Sequence, residues 1–160
     1  FSSLKYKGGG GKSSVRHLKH LVRVHNISIL VLFEPLADAA QIEGLRSKLS
    51  FDFSLFNVSK KIWLLGRSGF HFTILRNSEQ LLHVMMVHDS WSSVGIATFV
   101  YAKCTRVERR VLWSDLVSIA NTSTRLWLVG GDFNVISSIT EYVGRAAVTT
   151  PPLPRAYPRI

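Results

Sequence analysis

Two acids in this 160-residue chain follow apolar runs at equivalent places. Glu34 comes directly after ILVLF, and Asp132 comes after LWLVGG with Asn134 two residues further on. In open or sandwiched α/β sheets, side chains escape the core just past the carboxyl ends of strands, and sites gather there. If the two strands are neighbours, both carboxylates face one cleft and need a counter-charge. A divalent cation is the natural one, because Mg²⁺ takes oxygen ligands and binds through one or two carboxylates plus a substrate phosphate. Asn134 can donate a hydrogen bond to a phosphate oxygen, which an ionised Asp132 cannot. Gly130 and Gly131 would let the backbone turn sharply and a bulky ligand come close. The competing reading of LVGGDFNVI is a strand ending in an Asx-type turn, for which Gly, Asp and Asn are the usual residues. On the residues alone the turn is the simpler reading.

Other reactive side chains carry less. His17 and His20 lie three apart among Arg16, Lys19 and Arg23, which reads as a solvated basic face, and His71, His83 and His88 are scattered over strand-like segments. No H-E-x-x-H or H-x-x-E-H spacing occurs, so a zinc site is not expected. GGGGKS resembles a phosphate loop only in part, since Lys5-Tyr6 supplies no glycine at the first position of the Walker pattern. Trp113 and Trp127 sit in helical and strand apolar patterns and are expected in the core. Trp91, in the DSWSS turn, is held open as a residue that stacks on bases.

Composition narrows the class of partner. The formal net charge is +10, with six Lys or Arg between Lys5 and Arg23 and no acid before Glu34. A second basic cluster is Lys103, Arg106, Arg109 and Arg110. Such a balance favours nucleic acid or another polyanion over an acidic partner. The candidate contacts are Arg16, Lys19 and Arg23. No apolar run approaches the ~18 residues of a membrane-spanning helix, and no secretory h-region is visible. A single cysteine, Cys104, excludes an internal disulfide framework and gives no reason to expect a disulfide-linked partner. The expected setting is intracellular, and nuclear if the partner is DNA. Nothing in the sequence sets an oligomeric state.

The elements that would position these residues follow from periodicity. Ser14 to His25 repeats Val15, Leu18, Leu21 and Val22 at helical spacing. Ile27 to Phe33 is a continuous β-branched run, read as a buried strand closed by Pro35. Ala39, Ile42, Leu45 and Leu49 mark a second helix. FDFSLFNV, KIWLL, GFHFTIL, LLHVMMVH and GIATFVYA predict a strand-rich middle. Val107 to Ala120 predicts a third helix, and LWLVG a buried strand with GDFN as its terminal loop. The fold class is therefore mixed α/β (α+β), with helices packed outside sheets. Residues 1–13 read as a basic, Gly-rich N-terminal segment and 14–147 as the domain. Residues 148–160 hold four of the five prolines and read as an extended, disordered tail.

Taken together, KSSVRHLKHLVRVHNISILVLFEP, KIWLL, ATFVYAKCTRVERRVLWSDLVSIA and RLWLVGGDFNVI, with Glu141 after it, resemble the endonuclease domain of plant LINE-type (non-LTR) retrotransposons. That family belongs to the endonuclease/exonuclease/phosphatase superfamily, similar to DNase I and the apurinic endonucleases. The resemblance runs from about Gly10 to Gly144. It implies a four-layer α/β sandwich and a Mg²⁺-dependent phosphodiesterase acting on DNA. Residue by residue, it implies that Glu34 is the metal-binding glutamate and that Tyr101 contacts the scissile phosphate. Asp132 would orient or deprotonate the attacking water, and Asn134 would hold the phosphate in the transition state.

The chain also departs from that pattern. Lys5 and Tyr6 stand where the family's first motif has Trp and Asn, and no S-D-H motif follows GDFN. The superfamily's single-domain length implies about 100 further residues. The expectation is thus a partial sandwich: a truncated, degenerate endonuclease domain with weak or no nicking activity. The alternative is a basic module that binds nucleic acid without chemistry.

Overall fold

A computed structural model describes residues 2–5, 12–35 and 39–135. Tyr6, the glycine run, Glu141 and the Pro-rich tail lie outside the described residues. The elements occur in the order β1 (Ser2–Lys5), α1 (Lys12–Val24), β2 (Ile29–Phe33), a 3-10 turn (Ala39–Gln41), α2 (Ile42–Leu49), β3 (Phe53–Phe56), β4 (Ile62–Gly66), β5 (Phe70–Asn77), β6 (Leu81–His88), β7 (Gly95–Tyr101), α3 (Arg109–Thr122) and β8 (Trp127–Asp132). β1 is a strand that the sequence reading had folded into the N-terminal segment. It lies parallel to β2, with Lys5 paired to Phe33.

The strands form two four-stranded sheets, ordered β1-β2-β4-β3 and β5-β6-β7-β8. Three apolar clusters make four layers of them. α1 and α2 cover the outer face of the first sheet, where Leu18, Val22, Ile42, Leu45 and Leu49 meet Leu30, Leu32, Trp63 and Leu65. The two sheets meet through Val31, Phe33, Ile62 and Leu64 on one side and Leu82, Val84, Met86, Ala97 and Phe99 on the other. α3 covers the second sheet, placing Leu112, Leu116 and Ile119 over Leu81, Val100 and Ala102. Each fully buried Leu or Ile contributes roughly 1.5–3 kcal/mol, so the sandwich holds together through these three interfaces.

The sequence pattern explains this layering. β4 is covered on both faces, and all five of its residues are buried, which is why KIWLL reads as an unbroken apolar run. β5 is an edge strand with a register shift between Ile74 and Arg76, and most of it is exposed. A bulge and a charge at an edge discourage further pairing. Arg76 also reaches Asp115 of α3 at 2.6 Å and pins the helix to its sheet. Among the described residues no helix is long and apolar enough to cross a membrane.

Candidate active site

β7 and β8 run parallel, and Tyr101 and Asp132 are register partners at their carboxyl ends. Neighbouring positions in parallel strands share a face, and Tyr101 packs with the cluster between the sheets. Glu34 arrives from the other sheet, one residue past β2. The Tyr101 hydroxyl donates to the Glu34 carboxylate, so a hydrogen bond closes the sandwich at this end. Burial first, and then the Glu34 hydrogen bond and charge, push the Tyr101 phenol well above its ordinary pKa, with Cys104 and Asp132 adding smaller contributions. The phenol is therefore held as a proton donor throughout the neutral range.

Local backbone geometry aims both acids. Glu34 adopts a left-handed φ of 49°, uncommon for a residue with a side chain. Its N–H donates to the Lys61 carbonyl at 2.8 Å, which holds the bend against the β3–β4 turn. At the other strand end, the Asn134 N–H donates to Asp132 Oδ1 at 3.0 Å, and Asn134 also takes a left-handed φ, 47°. This is an Asx-type turn. Asn134 Nδ2 donates to the Ala102 carbonyl, so one of its two amide hydrogens ties the loop to β7.

The glycines act differently from their sequence reading. β8 runs straight through Gly130 and Gly131 to Asp132, so GD belongs to the strand and not to a loop. Gly131, at φ 150°, is required because a Cβ there would meet the Val100 carbonyl oxygen at 2.0 Å. The close approach is that of the neighbouring strand, not of a ligand.

Two supporting residues escaped the sequence reading. Asn57 is fully buried; its Oδ1 accepts from the Lys61 and Ile62 N–H groups at 2.9 and 3.0 Å. Its Nδ2 donates to Ser59 Oγ and to the Ser78 and Glu79 carbonyls. It thereby fixes the turn whose Lys61 carbonyl holds Glu34. An Asn at the end of an alternating strand was the available signal. Arg109, read only as one of a basic cluster, directs Nη1 to the carbonyls of Lys103, Cys104 and Asn134, at 3.1, 2.6 and 3.0 Å. Lys103 pairs with Glu79 at 3.0 Å.

Not every candidate joins the site. Arg16, Lys19 and Arg23 are exposed on α1, on the face turned away from Leu18 and Val22, in the outer layer. None of the six histidines stands with the carboxylates. His17, His20 and His25 are exposed at α1, His71 pairs with Asp89, His83 with Thr98 and His88 with Ser90. Trp127 is half-buried under α3 and donates to Thr98 Oγ1, as expected of a core residue. Trp113 does not follow: it is 43% exposed, because α3 turns Leu112 and Leu116 inward instead. Trp91 is equally exposed and meets Phe70 edge-on at 5.5 Å.

Solved structures share this fold over most of the chain. An endonuclease/exonuclease/phosphatase family protein from Bacteroides thetaiotaomicron superposes with a TM-score of 0.61 at 14% identity, covering 85% of this chain and 63% of that one. The endonuclease domain of TRAS1, a telomere-specific non-LTR retrotransposon, gives 0.57 at 12% identity, covering 85% and 59%. A humanized D. rerio TDP2 gives 0.58 at 15% identity, covering 84% and 61%.

The fold is DNase I-like.

Identities this low speak for the fold alone. The chain spans about three fifths of the length of these DNase I-like proteins. No protein-family model matches it, and no curated protein matches it in sequence.

Proposed function

We propose that this chain carries the carboxylate and phenol side of a divalent-metal-dependent phosphodiesterase site that acts on DNA, inherited from a LINE-type retrotransposon endonuclease. The observation that supports it is the convergence of Glu34, Tyr101 and Asp132 at one end of a DNase I-like sandwich. A nuclear location would follow from that substrate.

The donor set fits Mg²⁺. Both candidate ligands, Glu34 and Asp132, offer carboxylate oxygens, and Mg²⁺ binds through one or two carboxylates and completes its shell with water and phosphate. Glu34 would be the residue to hold it. When bound, Mg²⁺ would polarise the phosphate and neutralise charge on the leaving oxygen. Tyr101, kept protonated, spends its one hydroxyl hydrogen on the Glu34 carboxylate and fixes it in place. Asp132 orients the attacking water and accepts its proton. The second amide hydrogen of Asn134 is left for a phosphate oxygen, where a fixed donor stabilises developing charge. No histidine supplies the remaining proton transfers, so the chain by itself should nick DNA slowly or not at all.

Two measurements test this. Mg²⁺ should raise the melting temperature of the wild-type chain, by mass action on the folded state, and should not do so in Glu34→Gln. Any Mg²⁺-dependent nicking of supercoiled plasmid should be slow and should vanish in Asp132→Ala. Nicking that survives both substitutions would refute the site, and fast nicking would refute its degeneracy.

A second reading is favoured by the free basic face of α1. If that face alone holds nucleic acid, binding should weaken steeply with salt. It should survive Asp132→Ala and fail when Arg16, Lys19 and Arg23 are all neutralised.

A further inference from the structure

α3 presents an aromatic group at the active-site end of the sandwich that the proposed chemistry does not use. The Trp113 indole lies almost parallel to the Phe133 ring, with centroids 5.8 Å apart and planes 7° from parallel. Phe133 directly follows Asp132 and packs into the cluster beneath α3. The indole is thus backed by a ring anchored in the core, while 43% of the residue faces solvent. A lone exposed indole would mean little, but its neighbours add a charge pattern. Arg110 lies three residues earlier, on the same face of the helix, and Arg106 lies on the loop that enters α3. Both are exposed, and neither side chain has a partner among the described residues. The nearby acid, Glu108, is turned to the Thr105 hydroxyl.

We infer that Trp113, backed by Phe133 and flanked by Arg106 and Arg110, is a stacking platform for an unpaired base of a nucleic acid strand. Every base offers a π-face, and a flat aromatic surface between cations that take the adjoining phosphates is how single strands are held without sequence readout. Backing by Phe133 fixes the indole before binding, so little side-chain freedom is lost on contact. The inference rests on the proposed nuclease reading only for which base is held, namely one next to the phosphate at Asp132.

The test is fluorescence anisotropy with a short fluorescein-labelled single-stranded oligonucleotide, in EDTA so that no metal-dependent step intervenes. Trp113→Leu keeps a helix-forming apolar residue but removes the π-face. It should weaken binding about ten- to a hundredfold, while Trp113→Phe stays within about threefold. The salt slope should be unchanged in Trp113→Leu and should fall by about 1.4 in the Arg106→Gln/Arg110→Gln double variant, at about 0.7 per single-strand phosphate contact. Binding by a cooperatively melting Trp113→Leu as tight as wild type would overturn the inference. So would sedimentation showing a dimer that Trp113→Leu dissolves, since the face would then be self-association surface. The two readings fail separately. Loss of binding in Trp113→Leu, with a wild-type melting temperature that Mg²⁺ does not raise, keeps the platform and removes the proposed metal site. Nicking that depends on Asp132, with Trp113→Leu binding unaltered, does the reverse.

Discussion

Replacing Gly131 by alanine should loosen the carboxyl end of β8, whereas the same change one residue earlier should be nearly silent. A Cβ on residue 131 would stand 2.0 Å from the Val100 oxygen, 2.7 Å from its nitrogen and 2.8 Å from its carbonyl carbon. These are backbone atoms of β7, directly opposite in the ladder, so no rotamer change relieves the overlap. A side chain at φ 150° adds roughly 1–3 kcal/mol of backbone strain. Relief requires β8 to draw away, weakening ladder bonds such as Ala102 N–H to the Asp132 carbonyl, 2.8 Å, at about 1 kcal/mol each. The expected loss is about 3–4 kcal/mol, a large part of a typical 5–15 kcal/mol, and lowers Tm by roughly 10 °C. At Gly130 no atom lies within 4 Å of the added Cβ. Alanine there should change stability by less than about 1 kcal/mol, in the stabilising direction if at all, by trimming unfolded-state freedom. Urea and thermal melts of the two variants decide the matter. Equal midpoints, or a costlier Gly130→Ala, would refute the claim that packing of β8 on β7, not loop flexibility, demands a glycine at 131.

Two further predictions concern the frame around the site. Asn57→Ala should destabilise the chain by about 4 kcal/mol, because it strands several buried groups at roughly 1–3 kcal/mol each. Hydrogen exchange at the Glu34 amide should speed up with it, since Lys61 loses its anchor; an unchanged Glu34 amide would separate Asn57 from the site. Burial pushes the His83 pKa below its ordinary value, the Ala97 backbone hydrogen bond opposes this, and the Arg76 charge adds to it. A depressed folded-state pKa means stability that is present above about pH 6.5 and lost as pH falls. His83→Gln should therefore flatten the acid side of the stability profile below that pH. An identical acid limb in the variant would show that His83 does not titrate on unfolding there.

The helices and most strands were legible because each buries one stripe or one face. Leu18 and Val22, or Leu112 and Leu116, recur at helical spacing only because a sheet lies beneath them. Trp113 was misread for the same reason. It falls within an apolar helix, but at one position from Leu112 it lies about 100° around the axis, outside the buried stripe. β1 was missed because four residues carry too little periodicity; its partner, β2, is what makes it a strand. Arg109 and Asn57 were illegible as supports, because their role depends on carbonyls up to 25 residues away in sequence.

The site residues were legible by type but not by cause. LVGGDFN offered two readings, an Asx turn and a working carboxylate, and the structure contains the turn without excluding the second. Asp132 Oδ1 accepts the Asn134 N–H, which is the turn. The same turn ends β8 where Asp132 stands beside Tyr101, whose phenol holds Glu34. Composition could not separate the readings because both need Asp and Asn at the same spacing. What makes the turn a candidate site is register: the ends of β7 and β8 coincide, and β2 of the opposite sheet ends against them. That coincidence belongs to the packing of two sheets, and no window of sequence short enough to scan contains it.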